Sequence, residues 1–191
     1  MSVAMKDLPR RHGITVDEYY RMAETGEIAP DARVELIEGE IIDMPPPGPR
    51  HSSMDMRLTA LLIRALGDRA MVRPGGGVRL DDMSLVGPDF ALVVPREDFY
   101  EYHHPTPEET FLAIEVSDSR LSFDLGRKRA LYARCGVTEL WVIDLKRGRL
   151  HRFRQPSGDE YLEIEVLEAP RTMSIEKLPG ITLDTSSLFG G

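Results

Sequence analysis

Cysteine is nearly missing from the chain. Cys135 is the one thiol in 191 residues, so no intrachain disulfide can form. Long apolar runs are also missing, and none approaches the ~20 residues that span a bilayer. The first residues, MSVAMKDLPRRHG, lack the apolar centre of a secretory leader, and a cytoplasmic protein is the simplest expectation. Positive charge is in deficit: 24 Lys and Arg against 32 Asp and Glu leave a net charge of −8. A broad basic face that holds nucleic acid by neutralising many phosphates is therefore not expected. An enzyme that meets phosphate through a metal ion remains open, because metal-binding carboxylates add to the negative count. Acidity kept only for solubility explains the charge equally well. No repeat, low-complexity segment or domain linker interrupts the chain.

Forty-one per cent of the residues are hydrophobic, enough for a folded core. Residues 1–13 read as an N-terminal arm, and 14–191 as one domain whose tail, LPGITLDTSSLF, packs back on the body. Thr15 and Glu18 form a capping box, which predicts a helix over 16–23 ended by Gly26. Strands over 33–37 and 40–44 meet at Glu38-Gly39 as a hairpin. PPPGPR (45–50) is a rigid extended loop. A helix follows from Ser52 or Ser53, with Leu58, Leu61, Leu62, Ala65 and Leu66 on one stripe. Short strands over 71–73 and 78–80 flank Gly75-Gly76-Gly77. That run lacks the Lys-Ser/Thr of a phosphate loop and reads as a hairpin turn. His103 and His104, in a polar loop, read as solvated surface. Further strands are expected at 89–94, 111–117 and 139–145, then near 150–154 and 161–167, with a helix over 122–134.

The informative stretch is Phe111–Asp144, where charges interrupt apolar runs. If strands 89–94 and 111–117 pair antiparallel, Asp89 lies opposite Glu115 and Val93 opposite Phe111. Near-continuous apolar runs mean burial on both faces. Two acids side by side there repel and are poorly solvated, and a divalent cation such as Mg²⁺ or Mn²⁺ resolves both problems. On the helix, ~100° per residue puts Asp124 and Lys128 within the arc of Leu121, Leu125, Leu131 and Tyr132. A simple i,i+4 ion pair accounts for their spacing but not for their place among leucines. A buried lysine needs a carboxylate or a bound anion. Strand, helix and strand make a βαβ unit, whose crossover brings Lys128 to the carboxyl end of strand 111–117. Asp89, Glu115 and Lys128 then share one site, a set suited to metal-assisted hydrolysis of a phosphodiester.

These residues resemble the PD-(D/E)xK nuclease superfamily, and within it the Uma-two family of endonucleases. The match runs through ELIEGEI (35–41), His51, Pro88-Asp89 and EVSDSRLSFDLGRKRALYARCGVTELWVID (115–144). The resemblance implies a restriction-endonuclease-like α/β fold, a mixed β-sheet flanked by helices. It also implies a Mg²⁺-dependent endonuclease acting on DNA, with Mn²⁺ able to substitute, and is compatible with a homodimer. Asp89 and Glu115 match the metal-binding acids, and the Val116 carbonyl is an additional candidate ligand. The usual lysine position holds Ser117, and Lys128 matches a displaced lysine that assists the attacking water. Glu35 matches an early acidic position, as a supporting site residue or a hairpin ion pair. His51 stands at the mouth of the site or caps the following helix. Tyr132 and Trp141 read as core packing, and Asp144 as structural. A catalytically silent nuclease-fold binding or partner protein is the alternative.

Overall fold

The computed structural model describes residues 12–189, so most of the expected arm lies outside the described residues. The first helix starts as its capping box predicts. Thr15 Oγ1 accepts from the Glu18 amide at 3.2 Å, and the Glu18 carboxylate accepts from the Thr15 amide at 2.9 Å. Helix α1 spans Val16–Glu24. Strands β1 (Val34–Ile37) and β2 (Glu40–Asp43) pair with Ile37 opposite Glu40. Glu38 and Gly39 form the turn, with φ of 53° and 76°. Two positive φ angles give the hairpin the twist its strands require.

Helix α2 spans Pro49–Leu66, beginning ahead of the expected Ser52 or Ser53. Pro49 explains the difference: at the first helical position its fixed φ suits the turn, and no carbonyl waits for its missing N–H. The glycine run is not a hairpin turn. Strand β3 (Met71–Pro74) pairs with β6 (Phe90–Val93), whereas β4 (Val78–Asp81) pairs with β5 (Ser84–Val86) in another sheet. Gly75–Gly77 carries the chain from sheet to sheet. A Cβ on Gly76 would lie 2.3 Å from Arg73 Nε, so the crossover is closely packed. Strand β5 escaped the sequence reading because three residues cannot display an alternation.

The larger sheet also contains β7 (Thr110–Ser117), β8 (Glu139–Asp144), β9 (Arg149–Ser157) and β10 (Glu160–Glu168). Its order is β10-β9-β8-β7-β6-β3; the smaller sheet runs β2-β1-β5-β4. Among the described residues only β7 and β8 pair in parallel, joined by the expected helical crossover. The crossover is one helical run over 121–134: α3 (Leu121–Phe123), a π-helical turn (Asp124–Lys128) and α4 (Arg129–Arg134). The β6–β7 pairing is antiparallel as expected, with Phe90 opposite Ile114. A bulge between Leu92 and Val93 then sets Val93 against Thr110 rather than Phe111.

Alternation divides the larger sheet into two apolar faces. Leu112, Ile114 and Val116 of β7 join Met54, Leu58, Leu62 and Leu66 of α2. Ala113, with Ala91 and Val142, faces Leu131 and Tyr132 of α4 and Ile37 of β1. In the tail, β11 (Thr172–Ser174), β12 (Thr182–Asp184) and α5 (Ser186–Phe189) deliver Leu183 and Leu188 to the α2 side. No helix among the described residues is long and apolar enough to cross a membrane.

The turn at Gly39 fixes β1 and tests this architecture. A Cβ there would meet Gly13 Cα at 2.7 Å on a backbone of φ +76°. Gly39→Ala is expected to lower stability by at least ~1 kcal/mol, from the left-handed backbone alone. Urea unfolding measures it.

Candidate active site

Glu115 stands in β7 with its side chain on the α4 face, between the apolar residues Ile114 and Val116 of the opposite face. It is 1% exposed. Lys128 reaches it from the π-helical turn, with Nζ 2.7 Å from Glu115 Oε1. The lysine is fully buried. It does not turn to Asp124 as an i,i+4 pair. Its second partner is Glu35 of β1, whose oxygens lie 3.1 and 3.2 Å from Nζ. Glu35 and Ile37 share the face of β1 turned to the larger sheet, so Glu35 belongs to this cluster rather than to a hairpin ion pair. Tyr132 also belongs to it, since its hydroxyl donates to Glu115 Oε1 at 2.7 Å. The sequence reading assigned Tyr132 to core packing. Its i+4 spacing from Lys128 was the available signal.

Asp89 directly precedes β6, and the β6–β7 register leads it toward Glu115. Its Oδ2 accepts from the Val116 amide at 2.6 Å, and its Oδ1 lies 3.1 Å from His51 Nε2. His51 sits in the first turn of α2, so it stands at the mouth of the cluster and is not the helix cap, which is Gly48. Its other nitrogen, Nδ1, lies 3.0 Å from Asp55 Oδ2. Asp55 was missed, although four residues along one helix put it on the face of His51. Asp89 and His51 line a cleft of about 60 Å³ with the Pro45–Pro47 loop, Arg33 and Arg120. That is roughly the liquid volume of two waters. Larger clefts beside Arg50 and along β3 contain none of these residues.

Charge is unevenly balanced here. Burial alone would lower the Lys128 ammonium; Glu115 and Glu35 hold it above its ordinary value. Burial, against the pull of Lys128, lifts the Glu115 carboxyl to about 8, and Asp124, Asp89 and Glu35 add to the lift. The ammonium therefore stays charged, and Glu115 takes a proton near neutral pH unless another cation is near. Hydrogen bonds to Asp55 and then Asp89 raise His51 to about 10. With a carboxylate at each nitrogen it is an imidazolium, which has no lone pair for a metal. His51, Asp55 and Asp89 do offer three ligand atoms within 4.8 Å of one another, and loss of the His51 protons would turn this relay into a metal-capable set.

The remaining candidates are structural. Trp141 Nε1 donates to Glu139 at 2.7 Å in the core. Asp144 accepts from the Lys146 and Arg147 amides at 3.0 and 3.1 Å. His104 is not simply solvated, because its Nδ1 lies 3.1 Å from the Gly77 carbonyl that follows the sheet crossover. Among the described residues, neither His103 nor His104 joins a metal-capable group.

A mixed sheet flanked by helices, with its one parallel pair joined by a helical crossover, is a restriction-endonuclease-like fold. The chain belongs to the Uma2 (Uma-two) family, described as "Putative restriction endonuclease", whose pattern matches residues 16–186. The fold resembles that of an Anabaena variabilis ATCC 29413 protein, described as "a putative nuclease belonging to DUF820". The two share 20% identity with a TM-score of 0.70, over 92% of this chain and 97% of the other. Curated proteins give no match.

The raised carboxyl has a consequence for stability. Because its folded pKa lies above the unfolded value of 4.5, Glu115 contributes fully below about 4.5 and loses that contribution as pH rises through about 8. In EDTA, urea midpoints are expected to fall between pH 5 and pH 9. Glu115→Gln should flatten that fall; an unchanged slope would locate the titration elsewhere.

Proposed function

We propose that the protein is a metal-dependent endonuclease that hydrolyses DNA phosphodiester bonds, using Mg²⁺ with Mn²⁺ as a substitute. The observation that carries this reading is the fully buried Lys128 held 2.7 Å from Glu115, beside the cleft that Asp89 lines. The donor set suits a hard divalent cation: several carboxylates crowd one shared ammonium, and Asp124 keeps both oxygens without a hydrogen-bond partner. Asp89 and Glu115 would hold the ion. When bound, it supplies a water of lowered pKa and stabilises charge at phosphorus.

The chain's own groups supply the rest. Tyr132 fixes the rotamer of Glu115 through Oε1, and the Val116 amide fixes Asp89 through Oδ2. Lys128, kept charged by two carboxylates, is not the base that takes the water's proton. It serves as a donor that orients the attacking water and stabilises charge on a phosphate oxygen. His51 holds Asp89 at the cleft and shields it from its neighbour Asp55. Arg33 and Arg120 line the same cleft and make no ion pair among the described residues, although many arginines of this acidic chain do. Guanidinium groups that make no ion pair, one of them close enough to Asp124 to draw its carboxyl down, suit the phosphates on either side of a cut.

The test is incubation with plasmid and single-stranded DNA in Mg²⁺, Mn²⁺ or EDTA, beside Glu115→Ala. Cleavage is expected only with metal and wild-type protein. Cleavage that survives in Glu115→Ala would overturn the site, and none with DNA in either metal would leave a silent nuclease-fold binding protein. Replacing both Arg33 and Arg120 by Ala is expected to raise KM for DNA several-fold with little change in kcat, read from initial rates across substrate concentration.

A further inference from the structure

Asp124 is assigned neither the ion nor a proton in the mechanism above, yet it is among the most deeply buried charges of the described residues. It has no exposed surface, and neither carboxylate oxygen has a hydrogen-bond partner. Ser117, on the adjoining end of β7, is near enough to draw the carboxyl down, but its hydroxyl makes no hydrogen bond of proper geometry. A buried carboxylate without partners is costly, and burying one serves the fold only if something in the folded molecule meets it. Lys128 and Arg120 draw the carboxyl down from a distance, but neither makes an ion pair with it, and the close ion pairs of Lys128 are with Glu115 and Glu35.

The position of Asp124 points the same way. It opens the π-helical turn that Lys128 closes, so both face the sheet end occupied by Glu115. Such wide turns mark functional sites more often than ordinary helix does. Asp124 is close enough to Glu115 and Asp89 for each pair to repel, and burial with that repulsion raises its carboxyl. An acid from before β6, one from β7 and one from the crossover helix thus stand toward the same end of the sheet, and an ion would have to draw in their oxygens, which do not converge within 4.8 Å as those of His51, Asp55 and Asp89 do.

We infer that Asp124 is a third carboxylate of the divalent-metal centre, binding the ion together with Asp89 and Glu115. The inference rests on the metal-dependent reading above. It assigns the displaced helix two tasks: Lys128 supplies the ammonium, and Asp124 supplies an oxygen donor one turn earlier. Three carboxylates and an ammonium leave enough negative charge to hold Mg²⁺ or Mn²⁺ without help from His51.

Mn²⁺ binding to the full chain tests the assignment, followed by the loss of the free-ion paramagnetic resonance signal and by the metal-induced rise in Tm. Wild type, Asp124→Asn, Asp89→Asn and Glu115→Gln are titrated in parallel. Asp124→Asn is expected to weaken Mn²⁺ binding at least tenfold, shrink the metal-induced rise in Tm, and raise the Tm of the metal-free protein. That last change separates a metal ligand from a structural group, whose loss would lower Tm. Affinity within twofold of wild type would overturn the role of Asp124, while loss in Asp89→Asn would leave the metal-dependent reading intact. Failure of wild type to bind Mn²⁺ would overturn both. Should Asp124→Asn not fold, Mn²⁺-soaked wild-type crystals decide: anomalous density is expected at about 2.2 Å from an Asp124 oxygen, and density out of its bonding range would overturn the proposal.

Discussion

A single ammonium shared by two sheets is the constraint on which the rest of the molecule turns. Lys128 is fully buried, so its charge persists only because Glu115 and Glu35 surround it. Neither acid is local to it in sequence. Glu115 belongs to the central strand of the larger sheet, and Glu35 to the hairpin of the smaller one. Removing one member of such a set leaves the others uncompensated in a low-dielectric interior, where the penalty reaches ~3–5 kcal/mol. The hairpin turn at Glu38-Gly39, the packing of β1 against the crossover and the inward face of the helix all serve this meeting.

The same constraint explains how a lysine on a helix meets an acid on the strand before it. Ser117 occupies the strand position two residues beyond Glu115, on the same face and buried at the end of β7. The helix that follows must return over the sheet to reach β8. A residue on its inner face therefore passes close to the strand it has just left. The lysine arrives by the crossover instead of along the strand, and Tyr132, one turn further, braces the acid on the same oxygen.

Much of this was readable from residue order. Burial on both faces made charges in Phe111–Asp144 conspicuous, and the alternation of β6 and β7 aligned Asp89 with Glu115. The crossover helix, the capping box at Thr15 and the hairpin at Glu38-Gly39 follow from local chemistry. What failed was long-range or too short to carry a pattern. Gly75–Gly77 has the composition of a hairpin turn, and nothing nearby reveals that its flanking strands choose different sheets. Strand β5 is three residues long. The bulge at Leu92/Val93 shifts one pairing without marking the sequence. Tyr132 is both a core residue and a hydrogen-bond donor to Glu115, and only the partner of its hydroxyl separates the two. For Glu35 and His51 the partners are Lys128 and Asp89, which lie far away in sequence and leave no local mark.

The sequence distances inside the cluster bear on the order in which it assembles. Tyr132 and Glu115 are 17 residues apart, within the βαβ unit, whereas Lys128 and Glu35 are separated by 93. Loop-closure entropy grows with separation, so the nearer contact is cheaper to make and the farther one must be supported by the sheet crossover and the hairpin. The strand–helix–strand unit can thus bring its lysine and first acid together before the small sheet docks. Docking then seals the pair away from water, and Glu35, reaching Lys128 from the small sheet, is the latch of the fold.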